Sequence, residues 1–158
     1  MRGMIDSCRS VAYIGTGQEH SQQWRRMGHV LLIEGHRLMR SAIIGLLAQS
    51  GHQVIEEAAD PLEGVRRILW QPPRVMIVDT VWPEIKGIWL SRFLRELAPQ
   101  SKIVLLVDDS LCDDPEAARS SGADAFVAKE MLSKELTPIL AQWNDGEDGD
   151  ELSKWSMA

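Results

Sequence analysis

Acidic and basic side chains follow the short apolar runs of this chain, at the points where the runs end. Glu34 follows the first run and Asp79 follows the third. Asp108 follows the fourth run and Lys129 follows the fifth. In a parallel sheet the carboxyl ends of the strands share one edge, and ligands bind there. We therefore expect three carboxylates and one ammonium to converge, a set whose oxygens suit a hard divalent cation.

The apolar runs themselves predict the sheet that positions these groups. They are short, mostly β-branched or Leu-rich and without strict alternation, which is typical of parallel strands buried on both faces. The predicted strands are residues 30–33, 54–55, 75–78, 103–107 and 125–128. Because helical patterns separate them, strand and helix alternate five times. This order predicts a doubly wound five-stranded parallel sheet of the flavodoxin-like α/β class.

Each of the predicted helices is expected to bury one apolar stripe against the sheet. The stripes are Met39, Ala42, Ile43, Leu46 and Leu47 in the first helix, Val65, Ile68 and Leu69 in the second, and Leu90, Phe93, Leu94 and Leu97 in the third. Gly51, Pro61, Asp114-Pro115 and Gly122 are typical boundary residues. Pro138 lies in the second turn of a last helix capped by Ser133. Since proline lacks an N–H, we expect it to kink or shorten that helix.

Composition and charge limit the class of protein. The 158 residues are 44% apolar and 25% charged, close to the globular average, and predict one compact domain. The net charge of −6 does not favour a broad nucleic-acid surface. Cys8 and Cys112 have neither zinc nor disulfide spacing, which fits a reducing cytosol. No apolar run has the length of a membrane span, and the N-terminus lacks a signal-peptide apolar region, so we expect a cytoplasmic protein.

The regular pattern covers only part of the chain. Residues 29–143 form the predicted domain. Residues 1–28 are rich in Arg, Gly, Ser, Gln and His with little periodicity, and we expect a largely flexible N-terminal extension. Residues 144–158 begin with a run of acids and glycines, which predicts an acidic, solvated C-terminal tail.

Two segments of the predicted domain resemble the receiver domain of two-component response regulators. Residues 79–87, DTVWPEIKG, are similar to the phosphoacceptor segment of that family, with Trp82 in place of the usual Met. Residues 121–129, SGADAFVAK, are similar to the run that ends in the family's active-site lysine. Residues 36–40 resemble receivers that usually precede a helix-turn-helix output domain. We expect that output domain to be missing here.

The resemblance implies roles for the residues at the predicted strand ends. Asp79 is the implied phosphoacceptor and Lys129 is the implied counter-charge for the phosphoryl group. Phosphoryl transfer depends largely on positioning and charge neutralisation, so a carboxylate beside an ammonium suits an acyl phosphate. The implied Mg²⁺ ligands are Glu34, Asp79 and the backbone carbonyl of Val81. Asp108 is an alternative ligand.

Several positions depart from the family pattern. Gly35 stands where the family has the second acid of its metal-binding pair, so we expect Mg²⁺ binding to be weak or absent. Val107 replaces the hydroxyl that bonds the transferred phosphoryl group, and Phe126 aligns with the aromatic ring that reports phosphorylation. In the family, the coupling to this ring depends on that hydroxyl. Asp108 adds negative charge where a phosphoryl group should arrive.

The function that follows is an atypical, single-domain response regulator in a two-component or phosphorelay pathway. It is not expected to be an enzyme beyond self-phosphorylation and dephosphorylation at Asp79. The expected partners are a histidine kinase or phosphotransfer protein, a downstream protein and a second copy in a homodimer. No direct nucleic-acid or membrane contact is expected.

Other interpretations stay open at this point. The chain also fits a pseudo-receiver that binds proteins without being phosphorylated, or a flavodoxin-like module that carries a cofactor. By residue type alone, Asp79 fits an acidic strand end bonded to loop amides. Lys129 fits a surface lysine, and Asp108-Asp109 fits a solvated loop pair.

Overall fold

The computed structural model describes residues 29–51, 55–108 and 115–147. Within these ranges five parallel strands form one sheet in the order β2-β1-β3-β4-β5. The strands are β1 (Val30–Ile33), β2 (Ile55–Ala58), β3 (Val75–Asp79), β4 (Lys102–Val107) and β5 (Ala125–Ala128). The helices are α1 (Arg37–Gln49), α2 (Pro61–Trp70), α3 (Gly87–Leu97), α4 (Pro115–Ser120) and α5 (Leu132–Glu147), with a 3-10 turn at Lys129–Met131. The predicted doubly wound five-stranded sheet is confirmed.

Both faces of the sheet are covered, which explains the unbroken apolar runs of the strands. Because successive strand residues point to opposite faces, the sheet divides its apolar side chains between two cores. One core joins β-strand residues to α1 and α5, and it includes Val30, Leu32, Ile77, Val104, Leu106 and Val127. The other joins the sheet to α2 and α3, and it includes Leu31, Ile33, Met76, Val78, Leu105 and Val107.

Local capping explains where two of the helices begin. The carboxylate of Asp60 accepts a hydrogen bond from the Glu63 N–H at 2.8 Å, and the Glu63 carboxylate accepts one from the Ala59 N–H at 3.0 Å. These two bonds resemble a capping box in which the Glu63 side chain reaches one residue before the N-cap, and Pro61 is the first residue of α2. His36 caps α1 through Nδ1, which accepts from the Met39 N–H at 3.3 Å.

Glycines with positive φ follow two helices, as the sequence predicts. Gly51 has a φ of 86° after α1, and Gly122 has a φ of 74° after α4. L-residues rarely adopt this conformation, so both positions favour glycine. Gly64 is needed for another reason, because a Cβ there would lie 2.5 Å from Ile33 Cδ1, where α2 packs closely against β1.

Arg95 links the end of α3 to the amino edge of the sheet. Its guanidinium donates to the Ser101 carbonyl at 2.7 Å, and its Nε donates to the Gly122 carbonyl at 2.9 Å. It also pairs with the Asp124 carboxylate, which accepts the Ile103 N–H at 2.8 Å. One side chain therefore joins α3 to the segments that enter β4 and β5.

The predicted helix stripes are only partly buried. Ile43, Leu47, Ile68, Leu90 and Leu94 lie in the two cores, as expected. The prediction is wrong for Ala42, Leu69 and Phe93, which are exposed. These three lie at the flanks of their stripes, beyond the line along which each helix touches the sheet. A period of 3.6 marks the apolar side of a helix and not the width of its contact.

The predicted shortening at Pro138 is wrong, because α5 continues through it to Glu147, past residue 143. Leu136 and Leu140 flank Pro138 and are buried in the core that α5 shares with the sheet. This packing on both sides holds the helix although proline cannot donate its backbone hydrogen bond. The helix begins at Leu132, after the 3-10 turn, and not at a cap on Ser133.

Several sequence predictions lie outside the described residues. They concern residues 1–28, Cys112, Val54, Asp109, Asp114 and residues 148–158. In the described part of the chain, no helix has both the length and the hydropathy needed to cross a membrane.

Candidate functional site

The parallel register of the sheet brings three of the predicted site residues to one edge. Glu34 follows β1, Asp79 ends β3 and Lys129 follows β5. Because β1, β3, β4 and β5 are parallel neighbours in that order, all three residues lie at the carboxyl edge of the sheet, with Lys129 after its outermost strand. The strand order reverses between β1 and β3, which is the usual ligand position in such sheets.

Lys129 contacts both buried carboxylates. Its Nζ lies 2.8 Å from Asp79 Oδ1 and 3.8 Å from Glu34 Oε2. The Asp79 and Glu34 side chains are 5% and 1% exposed, whereas that of Lys129 is 25% exposed. The pocket therefore holds two acids below one ammonium that reaches toward solvent.

The two carboxylate oxygens of Glu34 differ in their hydrogen bonds. Oε1 accepts the His36 N–H at 2.9 Å. Oε2 is buried and has no hydrogen-bond partner among the described residues. Burial raises the pKa of Glu34 above its usual range, and the charge of Asp79 acts in the same direction. The His36 hydrogen bond and the Lys129 ammonium oppose this increase.

The loop after β3 orients the Asp79 carboxylate. Asp79 Oδ1 accepts the Val81 N–H at 3.2 Å in addition to its contact with Lys129. Val81 itself is exposed and forms an isolated antiparallel bridge with Lys86. The Thr80 hydroxyl donates to the Leu106 carbonyl at 2.8 Å, which attaches the start of this loop to β4.

Gly87 allows the same loop to close tightly. A Cβ at Gly87 would lie 2.5 Å from Thr80 Cα. Because this neighbour is backbone, it cannot turn away as a flexible side chain could. The first residue of α3 therefore has to be glycine if Thr80 and Asp79 are to keep their positions.

Arg40 supports the site from α1, and sequence reasoning missed it. Its Nη1 donates to the Glu34 carbonyl at 2.9 Å and to the Gly35 carbonyl at 3.3 Å. Its Nε lies 3.5 Å from Glu57 Oε1 on β2. Contacts from a side chain to backbone carbonyls leave no mark in hydrophobic periodicity, so only the structure reveals this one.

Trp82 lies over Gly35. Its Nε1 donates to the Asp79 carbonyl at 2.6 Å, and its half-buried ring packs against the core that includes Ile33 and Val107. A Cβ at Gly35 would lie 3.1 Å from Trp82 Cζ3. The indole thus forms one wall of the site.

The remaining predicted site residues belong to β4 and β5 or directly follow β4. Val107 is fully buried at the end of β4, opposite Ala128. Phe126 is partly buried and packs against the same core as Val107. Asp108 is exposed after β4. Their roles remain predictions.

The residues present fit a divalent cation, although sparsely. Glu34 Oε2 accepts no hydrogen bond from a described residue and lies in the same pocket as the Asp79 carboxylate, and buried carboxylate oxygens suit a cation. In the described ranges, no group of three or more His, Cys, Asp or Glu side chains is arranged to hold a metal ion. A cation here would depend on two carboxylates, backbone carbonyls and water.

A doubly wound sheet with two buried acids and a lysine at its carboxyl edge defines a flavodoxin-like α/β domain of the signal-receiver class. The family comparison agrees. The chain belongs to the response regulator receiver domain family, whose model matches residues 30–141. The predicted receiver domain of two-component response regulators is therefore confirmed, and such domains are in general signalling modules rather than enzymes.

Two curated relatives illustrate the similarity. The two-component response regulator ORR41 of Oryza sativa subsp. japonica is 30% identical over 122 residues, which cover 75% of this chain and 96% of ORR41. The transcriptional regulatory protein PdtaR of Mycobacterium tuberculosis is 30% identical over 113 residues, which cover 70% of this chain. This chain spans 54% of the length of PdtaR.

Solved structures show the same fold. The receiver domain of the sensor histidine kinase PA1611 from Pseudomonas aeruginosa, with a magnesium ion in its active-site cleft, is 25% identical with a TM-score of 0.64, over 75% of this chain and 98% of that one. The chemotaxis protein CheY4 of Vibrio cholerae is 21% identical with a TM-score of 0.64, over 73% of this chain and 98% of that one.

Proposed function

We propose that this chain is an atypical receiver that accepts a phosphoryl group on Asp79. The observation that carries the proposal is the contact of 2.8 Å between the Lys129 ammonium and Asp79 Oδ1 in a buried acidic pocket. An isolated acidic strand end would need no such counter-charge. This contact therefore favours Asp79 as a phosphoacceptor over Asp79 as a carboxylate that only accepts hydrogen bonds from loop amides.

The Asp79 carboxylate supplies the nucleophile. Among the described residues, both donors to this carboxylate, Lys129 and the Val81 N–H, contact Oδ1. Oδ2 is then the oxygen that forms the new bond to phosphorus. The bond between phosphorus and the donor's leaving group breaks, and its electron pair stays with that leaving group. Lys129 neutralises charge on the phosphoryl oxygens, which is the main contribution a protein makes to this transfer.

Mg²⁺ is the cofactor we propose, with weak binding. Glu34, Asp79 and the Val81 carbonyl would hold it, and Asp108 is a further candidate from the end of β4. When bound, Mg²⁺ supplies additional neutralisation of phosphoryl charge. Weak binding follows from Gly35, which contributes no side chain, and from the small number of carboxylates in the pocket.

The output of this receiver is proposed to differ from that of its family. Val107 has no hydroxyl to bond the phosphoryl group, so the movement of β4 and the ring of Phe126 lose their usual link. Signalling then depends on the loop after β3 and on its surface. The proposed partners are a histidine kinase or phosphotransfer protein as donor, a downstream protein as receiver of the signal, and a second copy of the chain in a homodimer.

The test is intact-protein mass spectrometry after incubation with Mg²⁺ and acetyl phosphate. Wild-type protein is expected to gain the mass of one phosphoryl group, and Asp79→Ala is expected to gain none. Glu84→Ala removes an exposed acid from the same loop and serves as the matched control, which should behave as wild type. A phosphoryl adduct on Asp79→Ala would show that another residue is the acceptor.

A pseudo-receiver is the second candidate, and the position of the Trp82 ring favours it because the ring leaves little space for an acidic side chain at position 35. In this case no adduct forms at any donor or Mg²⁺ concentration in wild type or in Glu84→Ala. The protein would then signal by binding a partner irrespective of phosphorylation.

A further inference from the structure

The indole of Trp82 and the bare backbone of Gly35 form a matched pair at the edge of the site. A Cβ added at Gly35 would lie 3.1 Å from Cζ3 and 3.6 Å from Cη2 of the ring. The first of these distances is shorter than ordinary van der Waals contact, so any side chain at position 35 would point into the indole. A side chain at position 35 therefore requires the ring to shift by a few tenths of an ångström.

The ring cannot move away freely. The hydrogen bond of 2.6 Å from Nε1 to the Asp79 carbonyl fixes one end of the indole, and contact with the core under α2 and α3 holds its apolar body. Displacing the ring would expose apolar area and leave an indole N–H to find a new acceptor. Gly35 is held as well, because Arg40 donates to its carbonyl at 3.3 Å.

This pair adjoins both acids of the site through the backbone, because the Trp82 indole donates to the Asp79 carbonyl and Gly35 is the next residue after Glu34. Gly35 directly follows Glu34, whose buried Oε2 has no hydrogen-bond partner among the described residues and lies 3.8 Å from the Lys129 ammonium. Mg²⁺ prefers octahedral oxygen coordination and keeps several waters when protein ligands are few. The apolar ring supplies no oxygen and lies where a side chain at position 35 would begin.

We propose that Trp82 determines the cation affinity of this site by closing the third carboxylate position over Gly35. The inference rests on the proposed function only in assuming that the pocket takes a divalent cation. Trp82 touches none of the reacting atoms in this role. It is a specificity-determining residue that limits the site to Glu34 and Asp79 and keeps its affinity for Mg²⁺ low.

The test is a double-mutant cycle that combines Gly35→Asp with Trp82→Leu. Mg²⁺ binding is measured by isothermal titration calorimetry in the absence of any phosphoryl donor, and stability is measured by urea unfolding. Leu keeps an apolar contact with the core but lacks the ring over Gly35. Gly35→Ala is the matched control, because it adds the same Cβ without a carboxylate.

The expected result is strong non-additivity. Gly35→Asp should raise Mg²⁺ affinity at least about tenfold more in the Trp82→Leu background than in the presence of Trp82. Both Gly35→Asp and Gly35→Ala should lower stability when Trp82 is present and have little effect on it when Leu replaces Trp82. Gly35→Ala should leave Mg²⁺ affinity unchanged in both backgrounds.

Equal gains in Mg²⁺ affinity in the two backgrounds would overturn the inference. Failure of Gly35→Asp to fold would support the inference if it occurs only with Trp82 present, and would overturn it if it occurs with Leu as well. The cycle is independent of phosphorylation. A wild-type protein that takes no phosphoryl group but shows the non-additive Mg²⁺ binding would refute the proposed function and leave the role of Trp82 intact.

Discussion

The Nζ of Lys129 lies 2.8 Å from Asp79 Oδ1, and the two residues come from strands separated in the sheet by β4. The contact crosses the end of β4 and joins the last strand to the central one. Glu34 lies in the same pocket, with Oε2 at 3.8 Å from Nζ. Three charged groups thus share one contact region, and the removal of any one changes the environment of the other two.

Lys129→Met is expected to lower the free energy of unfolding by roughly 1–3 kcal/mol, because it leaves two buried carboxylates without their cation. Urea unfolding measures the change. In the Asp79→Ala background, where one carboxylate is already absent, the same substitution should cost clearly less. Lys134→Met removes an exposed lysine of α5 and is the control, with little expected effect. Equal losses in the two backgrounds would contradict the coupling between Lys129 and Asp79.

Glu34→Gln is expected to stabilise the protein at neutral pH. Burial raises the pKa of Glu34, so the unfolded chain loses its proton first as the pH rises above the ordinary value of 4.5. Native stability due to this group therefore falls from that pH up to the pKa of the folded state. Gln cannot ionise and avoids this loss.

Urea unfolding of wild type and Glu34→Gln between pH 4 and pH 8 measures the difference, which should be smallest at the acid end and grow as the pH rises. Glu84→Gln, in an exposed position, should show no such trend. A gain that is the same at every pH would mean that Gln acts through packing and not through charge.

Three glycines should respond differently to alanine. Gly45→Ala in α1 should raise the free energy of unfolding by about 0.5–1 kcal/mol, because its Cβ would meet nothing within 4 Å and alanine favours a helix. Gly87→Ala should lower it by roughly 1–3 kcal/mol, since the Cβ would lie 2.5 Å from Thr80 Cα. The change in the free energy of unfolding caused by Gly64→Ala should lie between these two, because its Cβ would meet the Ile33 side chain, which can move. Thermal unfolding ranks the three, and a stabilising Gly87→Ala would contradict the tight loop after β3.

Val107→Thr tests the missing hydroxyl. The substitution puts a hydroxyl in a fully buried apolar position and should lower the free energy of unfolding by about 1–2 kcal/mol. In the phosphorylated variant, the hydroxyl has a phosphoryl oxygen to bond, so the ring of Phe126 should change its NMR signals. Phe93, the other phenylalanine, is exposed on α3 and serves as reference. Equal changes in the NMR signals of Phe126 on phosphorylation of the wild type would show that the coupling needs no hydroxyl at position 107.

The fold could be predicted because its signals are local and repeated. Five apolar runs, Pro61 in the first turn of α2 and glycines after helices at Gly51 and Gly122 each report on a few neighbouring residues. The parallel order of the strands then brings Glu34, Asp79 and Lys129 together with no further information. The convergence of charges is thus a consequence of topology.

The details of the site could not be predicted in this way. The contact between Gly35 and Trp82 joins residues far apart in the sequence, and both appear in the sequence only as separate departures from a family pattern. Arg40 acts on backbone carbonyls, which have no sequence signal. The exposure of Leu69 and Phe93 depends on how widely α2 and α3 touch the sheet, which periodicity does not report.

The bonds of Arg95 to Ser101, Gly122 and Asp124 have a mechanical consequence. They clamp β4 and β5 at the edge where both strands begin, opposite the carboxylate pocket. A strand that is fixed at one end is displaced most at its other end. We therefore expect a force at the pocket to displace the carboxyl ends of these strands, at Val107 and Lys129, while their starting points stay fixed.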